Sequence, residues 1–115
     1  MLRFLVHGLS HKTAPVSVRE ACALAGDETP EMLRSLFAAP EISEVLILST
    51  CNRVEVYVVP SAGIEEAARV IDKVFLADRG LDDATFEQHG YSLSGSEAVR
   101  HVLRVAASLD SMVVG

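Results

Sequence analysis

The sequence predicts an α+β domain: an antiparallel sheet with helices on one face and an extra helix toward the C-terminal end. Three observations carry this reading. Short apolar runs bounded by turn residues alternate with stretches of helical spacing, in the order strand, helices, strand, strand, helix, strand, helix. The second and third runs are separated only by Ser49 to Arg53. That is too little chain for a parallel crossover, so those two strands run antiparallel. The 115 residues, 50% of them hydrophobic, are enough for one domain that buries roughly two thirds of its unfolded surface.

Leu2 to Leu9 is mostly apolar and leaves through Ser10-His11-Lys12, which reads as the first strand. Pro15 opens a helix in which Ser17 and Glu20 match a capping box, Val18, Cys22 and Ala25 share a face, and Gly26 is the stop. Thr29-Pro30, cap then first-turn proline, starts a second helix that buries Leu33, Leu36 and Phe37 and ends at Pro40. Val45 to Leu48 is a continuous apolar run, expected of a central strand covered on both sides. Val54-Glu55-Val56-Tyr57-Val58 alternates, as a half-covered strand does. From Ile64 to Leu76 the apolar spacing is helical, with Gly80 as the stop. Phe86 to Leu93 reads as a short edge strand, and Ser94-Gly95-Ser96-Glu97 as a capping box for a helix from Ala98 onwards. This order is the split βαβ, ferredoxin-like arrangement, with residues 1–94 forming that domain and 95–115 a C-terminal helical segment.

Composition narrows the function. A net charge of −6 is wrong for a domain whose whole surface grips nucleic acid, so any such contact is local. Lys12, Arg19 and Arg53 are available for it but too scattered to define a surface. Two cysteines do not staple a miniprotein, and no run reaches membrane-span length, so the expectation is a cytoplasmic protein with reduced thiols and no membrane partner. The histidines and cysteines lack the paired spacing of a zinc site, and no metal is expected. Glu65-Glu66 and Asp82-Asp83 read as charges at helix starts.

The chemically informative segment is Ser49-Thr50-Cys51-Asn52-Arg53. A thiol at a strand junction reacts through its thiolate, which a nearby cation favours. Arg53 stands two residues on, and His11 and Lys12 leave the end of the first strand. On spacing alone, a cysteine after four apolar residues reads as packing, with Asn52 as a turn residue and Arg53 as a solvated charge. Cys22, on the apolar stripe of its helix, reads as core. In the last helix, His101, Arg104, Ser108 and Ser111 share a polar stripe beside the apolar Val102, Val105, Leu109 and Met112. That layout suits a cleft wall or an ordinary solvent boundary.

Three blocks resemble one family. They are Gly8-Leu9-Ser10-His11-Lys12-Thr13-Ala14-Pro15, then Ser49-Thr50-Cys51-Asn52-Arg53-Val54-Glu55-Val56-Tyr57, then His101 to Ala106 through Leu109 to Gly115. In order and spacing they resemble the N-terminal catalytic domain of glutamyl-tRNA reductase, over essentially the whole chain. The resemblance implies reduction of glutamyl-tRNA to glutamate-1-semialdehyde with NADPH, the first step of five-carbon tetrapyrrole (porphyrin) biosynthesis. It makes Cys51 the nucleophile that forms a thioester and His101 an acid/base residue. It makes Thr50, Asn52, Arg53 and Ser111 substrate contacts, with Arg53 suited to a carboxylate. It also implies a homodimer in the full-length family and glutamate-1-semialdehyde aminomutase as a further partner. No G-x-G-x-x-G follows a strand, so NADPH has no site in this chain, which is expected at most to form the thioester and hydrolyse it. The family usually has Gly where this chain has Ser108; on a straight helix His101 and Ser111 lie about 15 Å apart, so joint contact with one glutamyl group needs a break there. The reading from another class is a non-catalytic ferredoxin-like module that binds a ligand or partner, in which Cys51 is buried and inert.

Overall fold

A computed structural model describes residues 3–114, and the side chains of residues 3–108. Leu5–Ser10 forms β1, followed by α1 (Val16–Cys22) and α2 (Thr29–Phe37). The hairpin of β2 (Ile42–Ser49) and β3 (Arg53–Pro60) comes next. Then come α3 (Ile64–Ile71), a π-helical continuation (Asp72–Leu76), α4 (Asp83–His89), β4 (Tyr91–Ser94) and α5 (Gly95–Val114). The strands are ordered β2-β3-β1-β4, and each neighbouring pair is antiparallel. β3 therefore lies between the mutually parallel β1 and β2, the split βαβ topology that the element order predicts.

Alternation places the two faces of the sheet in different environments. Leu5, Leu9, Val54, Val56 and Val58 face the main core with Leu36, Ile71, Phe75 and Cys22. Each fully buried Leu, Ile or Phe side chain contributes about 1.5–3 kcal/mol through removal from water. The opposite face carries Val6 and Tyr57 against Ala98 of α5, with Phe4, Leu48, Tyr91, Leu93 and Val102 around them. α5 thus covers the side of the sheet that the other helices leave open. No helix among the described residues is long and apolar enough to cross a membrane.

The two hairpin strands exchange the places expected for them. β2 is an edge strand, and β3 is central and buried at every residue from Val54 to Val58. The apolar run of β2 serves two surfaces: Val45 and Ile47 pack on the main core, while Leu46 and Leu48 line an apolar groove with Phe4, Tyr57 and Val102. β3 alternates because its polar positions, Glu55 and Tyr57, are themselves buried beneath α5.

Local signals also yield to context. Pro15, with no side-chain cap, precedes α1, so the Ser17–Glu20 box does not form. Glu28 is the N-cap of α2 and Thr29 already lies inside the helix, which stops at Phe37 before Pro40. Met32 joins Leu36 in the core instead of Phe37, which is 61% exposed. Phe86 to His89 is helical: Asp82 caps α4 by accepting from the Thr85 N–H at 2.8 Å, which leaves only Tyr91–Ser94 as strand. Hydrogen bonding from the Thr85 side chain first, and this backbone bond second, holds the Asp82 carboxyl below its usual range. α5 begins at Gly95, whose φ of +62° suits glycine, and its backbone runs unbroken through Ser108. His7 is a satisfied core histidine, with Nε2 at 2.7 Å from Asp72 and Nδ1 at 3.2 Å from the Ser92 hydroxyl.

Candidate active site

The tip of the β2–β3 hairpin is built by its own residues. Thr50 Oγ1 accepts from the backbone N–H groups of Asn52 and Arg53, each at 3.2 Å, and the Thr50 N–H donates to the Arg53 carbonyl at 2.8 Å. Such a hydroxyl-stabilised turn lets the chain reverse without satisfying every donor through the ladder. Two tethers fix it to the scaffold. The His11 N–H donates to the Asn52 carbonyl at 2.7 Å, joining the tip to the exit of β1. Arg19 of α1 donates through Nη1 to the Cys51 carbonyl at 2.5 Å.

Cys51 is exposed at this tip and opens into a cleft of about 290 Å³ lined by Val16, Arg19, Glu20, Thr50 and Asn52. The packing reading of Cys51 is therefore overturned. Cys22 behaves as expected: it is buried in the core, and desolvation pushes its thiol up despite the opposing effect of Arg79. A raised, buried thiol is inert, which leaves Cys51 as the accessible sulfur.

Arg53 and His101 belong to a second cleft, of about 570 Å³, which they line with Ser10, Lys12, Tyr91 and Arg104. The structure thus places Thr50, Cys51 and Asn52 on one side of the tip and Arg53 with His101 on the other. Ser111, Leu109 and Met112 have side chains outside the described residues. Among the described residues, no group of three or more His, Cys, Asp or Glu could hold a metal ion. Among the described residues no two neighbouring strands are parallel, so they do not form the strand–turn–helix cradle for a dinucleotide pyrophosphate and do not fit NADPH in that way.

Sequence reasoning missed the residue that organises the second cleft. Glu55 is fully buried, and its carboxylate collects four donors. Tyr57 donates its hydroxyl to Oε1 at 2.5 Å; Tyr91 donates its hydroxyl to Oε2. His101 Nε2 lies 2.5 Å and Arg53 Nη1 3.4 Å from the same Oε2. A carboxylate offers about four lone-pair sites, two on each oxygen; here one donor reaches Oε1 and three converge on Oε2, the Arg53 contact at 3.4 Å being the longest of those three. By accepting from Nε2, Glu55 selects one histidine tautomer and leaves Nδ1 as the nitrogen able to take a proton. It also faces the Arg53 guanidinium, fixing that side chain at the cleft wall.

Room for Glu55 comes from β1. Gly8 pairs with Glu55 across the sheet, and a Cβ at Gly8 would lie 2.2 Å from the Val54 carbonyl oxygen and 2.8 Å from the Glu55 Cα. A lone glycine inside an apolar strand signals such a close approach. Gly8 is therefore a sign in the sequence that could have pointed to the buried carboxylate.

The two phenols provide a spectroscopic test of this cluster. Burial first, and the hydrogen bond to Glu55 second, raise Tyr57 and Tyr91 far above the ordinary phenol range. An unfolded tyrosine ionises near pH 10. With folded values above the unfolded ones, the phenols contribute full stability below that pH. Above it the unfolded state loses protons first, so stability falls by up to about 1.4 kcal/mol per pH unit for each ring. The chain has two tyrosines and no tryptophan, so phenolate absorbance reports on these rings alone. Phenolate is expected to appear only together with loss of the circular-dichroism signal. A native chain that titrates near pH 10 would contradict the buried cluster.

The chain is similar throughout to proteins of one family. The family model described as "Glutamyl-tRNAGlu reductase, N-terminal domain" matches residues 7–115. The glutamyl-tRNA reductase of Syntrophotalea carbinolica is 49% identical over 118 residues, covering 99% of this chain and 26% of that protein. The one from Geobacter metallireducens is 49% identical over 115 residues, with the same shares. The solved structure of glutamyl-tRNA reductase from Methanopyrus kandleri superposes with a TM-score of 0.64 at 34% identity, covering 97% of this chain and 24% of that one. The chain therefore spans about a quarter of the length of these relatives.

Proposed function

Since this chain belongs to the family of glutamyl-tRNA reductase N-terminal domains, we propose that it carries the acyl-transfer site of that reaction, with Cys51 as nucleophile and glutamyl-tRNA as acyl donor. The supporting observation is the exposed Cys51 at a tethered hairpin tip, beside a cleft in which a buried carboxylate holds Arg53.

In this reading the Cys51 sulfur attacks the carbonyl carbon of the ester between glutamate and the tRNA ribose. The new C–S bond forms, the ester C–O bond breaks, and the ribose oxygen leaves as an alcohol. The thiol proton is given up to solvent as the sulfur attacks and the leaving ribose oxygen takes one back, so the enzyme ends without net proton change; His101, held by Glu55 across the tip from Cys51, sits in the cleft that takes the glutamyl side chain. Arg53, oriented by Glu55, receives the glutamyl side-chain carboxylate in the larger cleft. Thr50 and Asn52 act mainly by shaping the tip; Thr50 Oγ1 is already committed to two backbone N–H groups. Along the α5 backbone, position 111 lies about 15 Å from position 101, so no contact shared between Ser111 and His101 is assigned. Tetrapyrrole synthesis is the setting proposed for the product. No step through NADPH is assigned to these residues.

The substrate assignment is tested by mixing the chain with tRNA charged with labelled glutamate or labelled glutamine. Loss of the aminoacyl ester is expected to be faster for glutamyl-tRNA by about tenfold or more, the size expected for a lost charge-assisted contact of about 1.5–3 kcal/mol. Equal rates at the level of spontaneous hydrolysis would overturn the assignment.

A further inference from the structure

The Cys51 cleft has a cation that the family resemblance gives no role. Arg19 lines it, and its guanidinium is pinned at two points: Nη1 to the Cys51 carbonyl at 2.5 Å and Nε to the Ala14 carbonyl at 3.2 Å. A guanidinium carries five N–H donors, and these bonds occupy two. Among the described residues lining this cleft, Arg19 alone is cationic. Glu20 also lines it, but that carboxylate is exposed and screened by water, whereas Arg19 is held in place by two backbone carbonyls. Arg53, another cation near the tip, pairs with Glu55 in the opposite cleft, which Lys12 also lines.

We propose that Arg19 is the subsite for the anionic leaving-group side of the acyl donor, namely the terminal phosphodiester of the tRNA strand. The inference rests on the reading of Cys51 as nucleophile. In acyl transfer the acyl portion and the leaving portion extend to opposite sides of the attacked carbonyl. With the glutamyl side chain in the Arg53 cleft, the departing nucleotide falls on the other side of the hairpin tip. That is where Arg19 stands, in a fork geometry suited to phosphate oxygens. By holding the Cys51 carbonyl, Arg19 also fixes how the tip presents the sulfur.

The charge of the cleft is measured by alkylating Cys51 with anionic iodoacetate and neutral iodoacetamide at one pH and taking the ratio of rates. Arg19→Ala and Arg19→Gln are expected to lower the iodoacetate-to-iodoacetamide ratio about fivefold, the effect of a unit charge at near-contact distance in water. Arg19→Lys should retain most of it, because the charge remains. A purely structural role would change both rates together and leave the ratio constant; an unchanged ratio in both neutral variants overturns the proposal. In binding assays, Arg19→Ala should weaken glutamyl-tRNA and glutaminyl-tRNA equally. Weakening of glutamyl-tRNA alone would mean that Arg19 reads the carboxylate and would overturn the phosphodiester assignment. If Cys51 accepts no acyl group from glutamyl-tRNA, the nucleophile reading fails, yet the alkylation ratio still decides the charge of the cleft, so the two failures are separable.

Discussion

Glu55→Ala is expected to destabilise the chain by about 3–5 kcal/mol, the cost of removing one partner from a buried ion pair. Glu55 is fully buried under α5, and its carboxylate is the common acceptor for Tyr57, Tyr91, His101 and Arg53. Truncation leaves two phenols and two cationic or potentially cationic groups in a low-dielectric site without their shared acceptor. Domains of this size are stable by only about 5–15 kcal/mol, so the loss is a large fraction of the total. Glu55→Gln keeps the shape but offers one acceptor oxygen and adds two donors facing groups that already donate, so it should cost roughly 1–3 kcal/mol. Urea unfolding monitored by circular dichroism measures both: the midpoint should fall and the slope stay unchanged. A loss below about 1 kcal/mol for Glu55→Ala would show that the carboxylate does not organise the cluster.

Cys51→Ser is expected to have the opposite profile. The residue is exposed, so the substitution should change stability by no more than about 0.5 kcal/mol. A serine hydroxyl is scarcely ionised at neutral pH and has none of the intrinsic nucleophilicity of sulfur. Acyl transfer from glutamyl-tRNA should therefore fall by on the order of 10³-fold, about 4 kcal/mol of lost transition-state stabilisation. Read together, Glu55→Ala separates architecture from chemistry by affecting both, while Cys51→Ser affects chemistry alone. A transfer rate that survives Cys51→Ser in a folded chain would place the nucleophile elsewhere.

The topology is legible because its signals are local and repeated: apolar spacing and a hairpin too short for a crossover. What sequence reading misplaced traces to particular residues. β3 looked half-covered because Glu55 and Tyr57 break its apolar run, and nothing local reveals that α5 folds over them. β2 looked central because Leu46 and Leu48 add a second apolar face that lines a groove at the sheet edge. Phe86 was assigned to a strand although Asp82, four residues earlier, caps a helix. For the site, the tip residues Thr50 to Arg53 stood out as a segment. Their division between two clefts depends on the direction each side chain takes around the turn, which spacing along the chain does not encode. The sequence shows Arg19 only as one of three scattered cations available to a nucleic acid, because its partner, the Cys51 carbonyl, is 32 positions away.

The measurement that bears most directly on the account is rapid mixing of the chain with glutamyl-tRNA, acid quench and peptide mapping of the trapped adduct. A hydroxylamine-sensitive glutamyl group is expected on the peptide containing Cys51 and none on the peptide containing Cys22. An adduct on any other residue, or unmodified Cys51 while the ester is being consumed, would contradict it.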